Sequence, residues 1–475
     1  MTRTKTEQGT STWGALLTGL LLTVSACGYS SAGDAFGYDP GAGGSYGATP
    51  GGQKDIAQAR ALIAAGRVPA PGMITVEGLL SEHDLPVSGP PCDATFCARP
   101  AAAYAPSLST GQNELFLHVG MASNRTVTRD SRPPLDIIAV VDKSAAMSID
   151  MVETNGAVAD IVRNLKPGDR FAELTFDDKI HTQVPLGEVR DVAATQALVR
   201  SVTASGGSQL VTALQTGYEL AAANLRAGRL SRIMLFTCGY PGIEGRFSDL
   251  NRIYADRGIA LSMFGILLSF DAALAAHIGE LRGGNYYFLQ DLQKITKLFT
   301  DDFDLIVTPL AYDLRMQLAL STGLSPAAAY GLPGGSGGAP GLDLTVKSVF
   351  PSRSHGGIVL RLAGRATDPA TMGHMGLTYI DVPSGTASDG GMALPKQPAQ
   401  DAVSYDSVGA HKAVVLVNEA TSLIDITDRV GQGDITGAKA KAQALRAYLA
   451  TETASLADPA LVPELTLVDQ LLTLL

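Results

Sequence analysis

The 475-residue sequence predicts an α/β domain with a doubly wound, mainly parallel sheet and helices on both faces, followed by an antiparallel β-sandwich and C-terminal helices. Three observations carry this expectation. Within residues 135–147, LDIIAVVDKSAAM, Leu135 and residues 137–141 form an apolar run broken only by Asp136, the pattern of a strand buried on both faces at the centre of a parallel sheet. Strand-like and helix-like patterns then alternate to residue 305, as expected when helices cover both sides of one sheet. Beyond 305 the apolar period shortens to two and Gly, Pro and Ser separate the segments, which points to a sandwich.

Taken in order, the chain opens with Arg3 and Lys5 ahead of an apolar run over 13–26 that is too short to span a bilayer and has the layout of a secretory signal. It ends Val24-Ser25-Ala26-Cys27, which resembles the bacterial lipobox, whose cysteine is lipidated and becomes the mature N-terminus. An ordinary signal peptide with a chance cysteine is the alternative. More than one acyl chain on Cys27 would give the two signals that stable anchoring requires. Gly28 in place of Asp resembles outer-membrane sorting in a Gram-negative cell. Residues 28–53, rich in Gly, Ser, Tyr, Ala and Pro without periodicity, read as a flexible tether.

Residues 54–131 read as an N-terminal segment. Ile56, Ala59, Leu62 and Ile63 have helical spacing, stopped at Gly66-Arg67-Val68-Pro69. Cys92 and Cys97, in the Pro-rich PPCDATFCARP, form a local disulfide in an exported chain; metal binding by the pair would need further ligands, and no His or Cys follows at suitable spacing. A strand is expected over 114–123. In the central domain, 132–305, helices are expected over 148–165, 189–202, 209–225, 250–257, 271–281 and 292–303, and further strands over 232–236, 259–268 and 285–289. RFAELTFDD and HTQVPL alternate as a hairpin, with Asp177 and Asp178 as turn residues or, alternatively, ligands. The sandwich is expected over 306–418, its segments being DLRMQLAL, LDLTVKSVF, GIVLRLAG and MGLTYIDV. Residues 414–417 add a strand or begin the final helices of 419–475, one of which is amphipathic through Ile435, Ala438, Ala442, Leu445 and Leu449.

Asp142 and Ser144 stand at the C-terminal end of the first central strand, where open α/β sheets place their ligands. A plain capped turn is the alternative. Asp142-Lys143-Ser144-Ala145-Ala146 resembles the Asp-x-Ser-x-Ser metal motif of the von Willebrand factor type A domain, with Ala146 in place of the second serine. Two more family positions fall on SGGSQLVTAL, where Ser208 keeps the hydroxyl of the family's threonine, and on IMLFTCGYP, where Cys238 replaces its second aspartate. The resemblance covers roughly residues 134–305. It implies the doubly wound fold, a bacterial lipoprotein that binds other proteins, and a remnant metal site of Asp142, Ser144 and Ser208 that is weak or empty. The implied cofactor is none, or Mg²⁺ or Ca²⁺ at low affinity, because a hydroxyl is lost and a soft thiol replaces a hard carboxylate. Asp142 is then expected to accept hydrogen bonds from backbone N–H groups and from Ser144 or Ser208.

A net charge of −10 without a dense Lys/Arg run gives a nucleic-acid partner no electrostatic support. The seven histidines are scattered, with no His-Glu-x-x-His or Gly-x-Ser-x-Gly motif. Cys238 is the one tempting nucleophile, yet the Asp142 carboxylate beside it should keep it a thiol. The expectation is a non-enzymatic, envelope-anchored adhesion or scaffolding protein with an unidentified protein partner at the strand C-termini. A metal-dependent binder is the alternative, and a Cys238 hydrolase a weaker one.

Overall fold

The structure is a computed structural model and describes residues 45–239, 244–266, 277–289, 292–333 and 341–475. The signal segment with Cys27, the tether as far as 44 and the opening of the helix expected at Asp271 lie outside the described residues.

Among the described residues the strands form two sheets, and the chain enters both at once. Strand β1 (Tyr46–Pro50) pairs antiparallel within the larger sheet, and β2 (Gly52–Gln53) pairs parallel at the edge of the smaller. The tether expected over 28–53 is thus corrected for its last residues. A Cβ on Gly47 would lie 2.3 Å from the Ser354 carbonyl oxygen, and one on Gly51 would lie 2.8 Å from that of Gly284. Glycine is required there by close backbone approach, whereas composition alone reads it as looseness.

Helices α1 (Ala57–Ala64) and α2 (Val76–Ser81) follow, the second capped by Thr75, whose Oγ1 accepts from the Gly78 N–H at 3.1 Å. Cys92 and Cys97 are bonded, with Cα atoms 5.8 Å apart. Next, β3 (Cys97–Ser107) and β4 (Gln112–Ser123) form a long hairpin inside the larger sheet. The segment expected over 54–131 therefore supplies two of the ten strands of the sheet assigned by sequence to 306–418, because the ladder partners of β4 include a strand more than 200 residues away, a pairing no local pattern announces.

The smaller sheet is built from β5 (Leu135–Asp142), α3 (Met151–Asn164), β6 (Arg170–Phe176), β7 (Ile180–Glu188), α4 (Val192–Arg200), α5 (Leu210–Ala223), β8 (Leu230–Thr237), α6 (Glu244–Ala255), β9 (Ile259–Gly265), β10 (Asn285–Phe288), α7 (Leu292–Thr300) and α8 (Phe303–Val307). The strand order is β2-β10-β9-β8-β5-β6-β7, parallel except for the β6–β7 hairpin. Every residue of β5 is buried. Ile137, Ala139 and Val141 pack beneath α3 and α7, while Ile138 and Val140 pack beneath α5 and α6, so the continuous apolar run has an apolar layer on each side. Asp136, the one interruption, accepts from Arg170 Nε at 2.8 Å and Arg229 Nε at 2.9 Å.

Strands β11 (Ala311–Leu320), β12 (Leu324–Tyr330), β13 (Asp343–Ser352), β14 (Gly357–Gly364), β15 (Gly373–Asp381), β16 (Ala387–Ala393) and β17 (Ser404–Tyr405) complete the antiparallel sheet. It forks at β4, which pairs with β3 on one side and with β14 and β1 on the other. Leu117, Val119 and Leu360 of one branch share an apolar core with Leu314, Met316 and Val346 of the other. The chain ends in α9 (Val408–Gly431), α10 (Ile435–Leu456) and α11 (Val462–Leu474). Residues 414–417 are helical; their unbroken apolar run arises because α9 is enclosed by α2, α10 and the sheet, so nearly all of its first turns are buried. No helix among the described residues is long and apolar enough to cross a membrane.

Candidate functional site

In the smaller sheet the chain leaves β5 toward β6 on one side, while β8 lies on the other. The C-terminal ends of β5 and β8 therefore flank the topological switch point. Asp142 closes β5 and is fully buried. Its Oδ1 accepts from the Ser144 N–H at 2.9 Å and its Oδ2 from the Thr237 hydroxyl at 2.9 Å, with the Cys238 sulfur 3.7 Å from the same oxygen. Thr237 in turn accepts from the Gly239 N–H at 3.0 Å, which fixes the rotamer that serves Asp142. The expected backbone donor is present, but the hydroxyl donor is Thr237, in place of Ser144 or Ser208. Burial, followed by the adjacent Asp142 carboxylate, pushes the Cys238 thiol up to about 12.

The loop carrying Ser208 is laced to the loop after β5. Ser205 N–H donates to the Lys143 carbonyl at 2.7 Å and Ala145 N–H to that of Gly206 at 3.0 Å. A Cβ on Gly206 or Gly207 would lie 2.6 Å from a carboxylate oxygen of Asp178, which is why the glycine pair precedes Ser208. Lys143 pairs with Asp177 and donates to Ser205 Oγ at 2.9 Å. Asp177 also accepts from the Lys179 N–H at 2.9 Å and meets His181 Nε2 at 3.1 Å, so it organises the hairpin turn and the rim. These contacts hold its carboxyl below the ordinary range, Lys143 contributing most.

Asp142, Ser144, Ser208 and Cys238 are thus gathered at one strand end, and Ser144 Oγ and Ser208 Oγ are buried without a hydrogen-bond partner. Against a divalent ion, the residues offer one carboxylate already engaged by three donors, two hydroxyls and a thiol. Among the described residues no group of three or more His, Cys, Asp or Glu could hold a metal ion. Beside this polar rim the loop after β5 and the start of α3 expose apolar side chains. Ala145 and Ala146 are exposed, and Ile149 and Val152 are 85% and 77% exposed, the highest values among the exposed large apolar side chains of the described residues. Sequence reasoning missed Thr237 and this pair. Val152 had a signal: α3 buries Met151, Asn155, Val158 and Val162, a spacing that turns position 152 outward.

Residues 136–301 match the model of the von Willebrand factor type A domain, close to the 134–305 expected, and the chain carries such a domain. Domains of this family can bind a metal at the strand-end site. The chain is 22% identical over 279 residues to the Escherichia coli protein YfbK, covering 55% of this chain and 47% of that one. It is 28% identical over 131 residues to the Synechocystis protein sll0103, covering 27% of this chain and 30% of that one. The chain therefore spans about half or less of the length of these curated relatives. A von Willebrand factor type A structure from Catenulispora acidiphila superposes with a TM-score of 0.54 at 14% identity, covering 76% of this chain and 88% of that chain, and so shares the fold.

Proposed function

Since the chain carries a von Willebrand factor type A domain, we propose that it is a non-enzymatic, membrane-anchored lipoprotein of the cell envelope. It binds another protein through the face at the ends of β5 and β8, with an impaired metal site. The observation that carries this reading is the rim. Ile149 and Val152 expose large apolar side chains directly after the metal-motif loop, which supports a protein contact there. The site beneath supports it: a thiol stands where the family places a carboxylate, and Asp142 is satisfied by protein donors. A cysteine held as a thiol is a poor nucleophile, which supports a binding role over hydrolysis. The lipobox-like ending at Cys27 supports the anchor, and Gly28 supports outer-membrane placement in a Gram-negative cell.

Crosslinking in intact envelopes tests the reading. A crosslinked partner should persist in EDTA, disappear in Ile149→Asp/Val152→Asp, and remain in Val403→Asp, an exposed apolar position on another part of the molecule. Loss of the partner in EDTA, with the rim variant unaffected, would contradict it. Changing Cys27→Ser should leave the protein unprocessed or soluble; membrane fractionation at mature size would refute the anchor. A second reading, metal-dependent protein binding, is favoured by the unpartnered Ser144 and Ser208 hydroxyls, which water molecules could join to an ion. An EDTA-sensitive thermal transition would support that alternative.

A further inference from the structure

A second region, remote in sequence from the strand-end motif, has the features of a ligand site. Where β1, α7 and the end of β13 meet, a cavity of about 220 Å³ opens beside Lys54, Lys297, Arg353, Asp302, Ser352 and Ser354. Lys54 reaches it from the link between β2 and α1. Its Nζ donates to Thr49 Oγ1 at 3.2 Å and to the Pro50 carbonyl, and lies 5.5 Å from the centroid of the Phe350 ring. Neither Lys54 nor Lys297 forms a salt bridge among the described residues, whereas Arg353 is neutralised by Asp302 through a 2.6 Å contact. Two lysine amines therefore line one cavity without a direct carboxylate contact, Asp302 being taken up by Arg353 and Glu77 acting on Lys54 only from a distance.

We propose that this cavity binds a small phosphate-class anion, free phosphate or the phosphate of a small metabolite, held between Lys54 and Lys297 with the Ser352 and Ser354 hydroxyls as further donors. Three features favour this class. Lysine presents a compact point charge suited to phosphate, and serine hydroxyls supply neutral donors. At ~30 Å³ per water, the volume holds about seven waters, room for one phosphate with part of its hydration and less than drug-sized ligands need. The Lys54 amine is also poised for such a partner. Burial brings it down to about 7, opposed by the Glu77 carboxylate on α2. The other charged or titratable groups around it are Lys297 on α7, Arg353 after β13, Asp302 before α8, and Tyr287 on β10, whose phenol burial holds above the ordinary range. A bound dianion favours the charged amine, so binding above pH 7 must take up a proton at Lys54.

Titration calorimetry of the full chain with inorganic phosphate, in two buffers of different ionisation enthalpy, tests this. At about pH 8.5, where free phosphate is already the dianion, the expected result is one saturable site with uptake approaching one proton; at about pH 6 Lys54 is already charged and the phosphate, then mostly monoanion, sheds its own proton on binding, so uptake gives way to release. Lys54→Met should weaken binding at least ~10-fold and abolish the proton uptake at this site. Lys297→Gln, at an exposed helix position where folding is not in question, should weaken it while leaving the uptake in place. A glucose 6-phosphate arm separates sources: tighter binding than inorganic phosphate identifies a phosphorylated metabolite, and weaker binding identifies the free ion. Absence of saturable binding to wild type, or binding unchanged in both variants, overturns the proposal.

Discussion

Asp142 sits in a wholly buried position and answers to a backbone N–H, a hydroxyl and a thiol. Removing the hydroxyl in Thr237→Val should leave one carboxylate oxygen short of a strong donor and cost about 1–3 kcal/mol in urea unfolding, while Thr237→Ser recovers most of it. Cys238, pushed up to about 12, should resist iodoacetamide at neutral pH until the protein unfolds, a result mass mapping reads directly. Glu173 on β6 is a third residue with a defined signature. It is fully buried, neither carboxyl oxygen has a hydrogen-bond partner, and burial raises it from 4.5 to about 8. The folded protein then keeps a proton that the unfolded chain releases across that window. Glu173 thus contributes a stability that is fully present below pH 4.5, falls by at most about 1.4 kcal/mol per pH unit, and is gone above pH 8. Glu173→Gln should flatten this part of the stability–pH curve; an unchanged slope would place the titration elsewhere.

At the scale of elements, β1 carries the sharpest test. If residues 46–50 are a strand wedged against residues 352–354, Gly47→Val should destabilise by roughly 1–3 kcal/mol or more through overpacking, whereas in a tether it would be silent. Urea unfolding distinguishes the two. This strand also shows where sequence reading fails. The β5 run, the β6–β7 hairpin and helices α3, α5 and α7 were legible because each follows its own period of burial. β1 was not, since glycine and alanine serve equally in a close-packed ladder and in loose chain. Residues 414–417 were ambiguous because a helix enclosed on all sides has no polar stripe to reveal its period. The site divided in the same way. Asp142 and Ser144 were legible from their place at a strand end, and Ser208 and Cys238 from the resemblance to the type A motif, but Thr237 became a partner only through the rotamer fixed by Gly239.

Across the whole described molecule, segments distant in sequence are bound into shared cores. Leu79 and Leu80 of α2 pack with Val415 and Leu416 of α9, and Arg60 of α1 donates to Glu82 at 2.5 Å and to Glu464 of α11 at 2.8 Å. The type A domain thus stands on a platform made from both flanks of the chain, its strand-end face carrying the exposed apolar rim. On the proposed reading recognition comes from apolar contact, where the family can use a metal. Losing one hydroxyl at Ala146 and one carboxylate at Cys238 should cost on the order of a thousandfold in affinity, taking each as ~10 to 100-fold. The most direct measurement is a thermal melt of wild type and of Ala146→Ser/Cys238→Asp, each with millimolar Mg²⁺ and with EDTA. No Mg²⁺-dependent shift in wild type and a clear rise in the double variant is the expected result; an EDTA-sensitive shift in wild type would contradict the account.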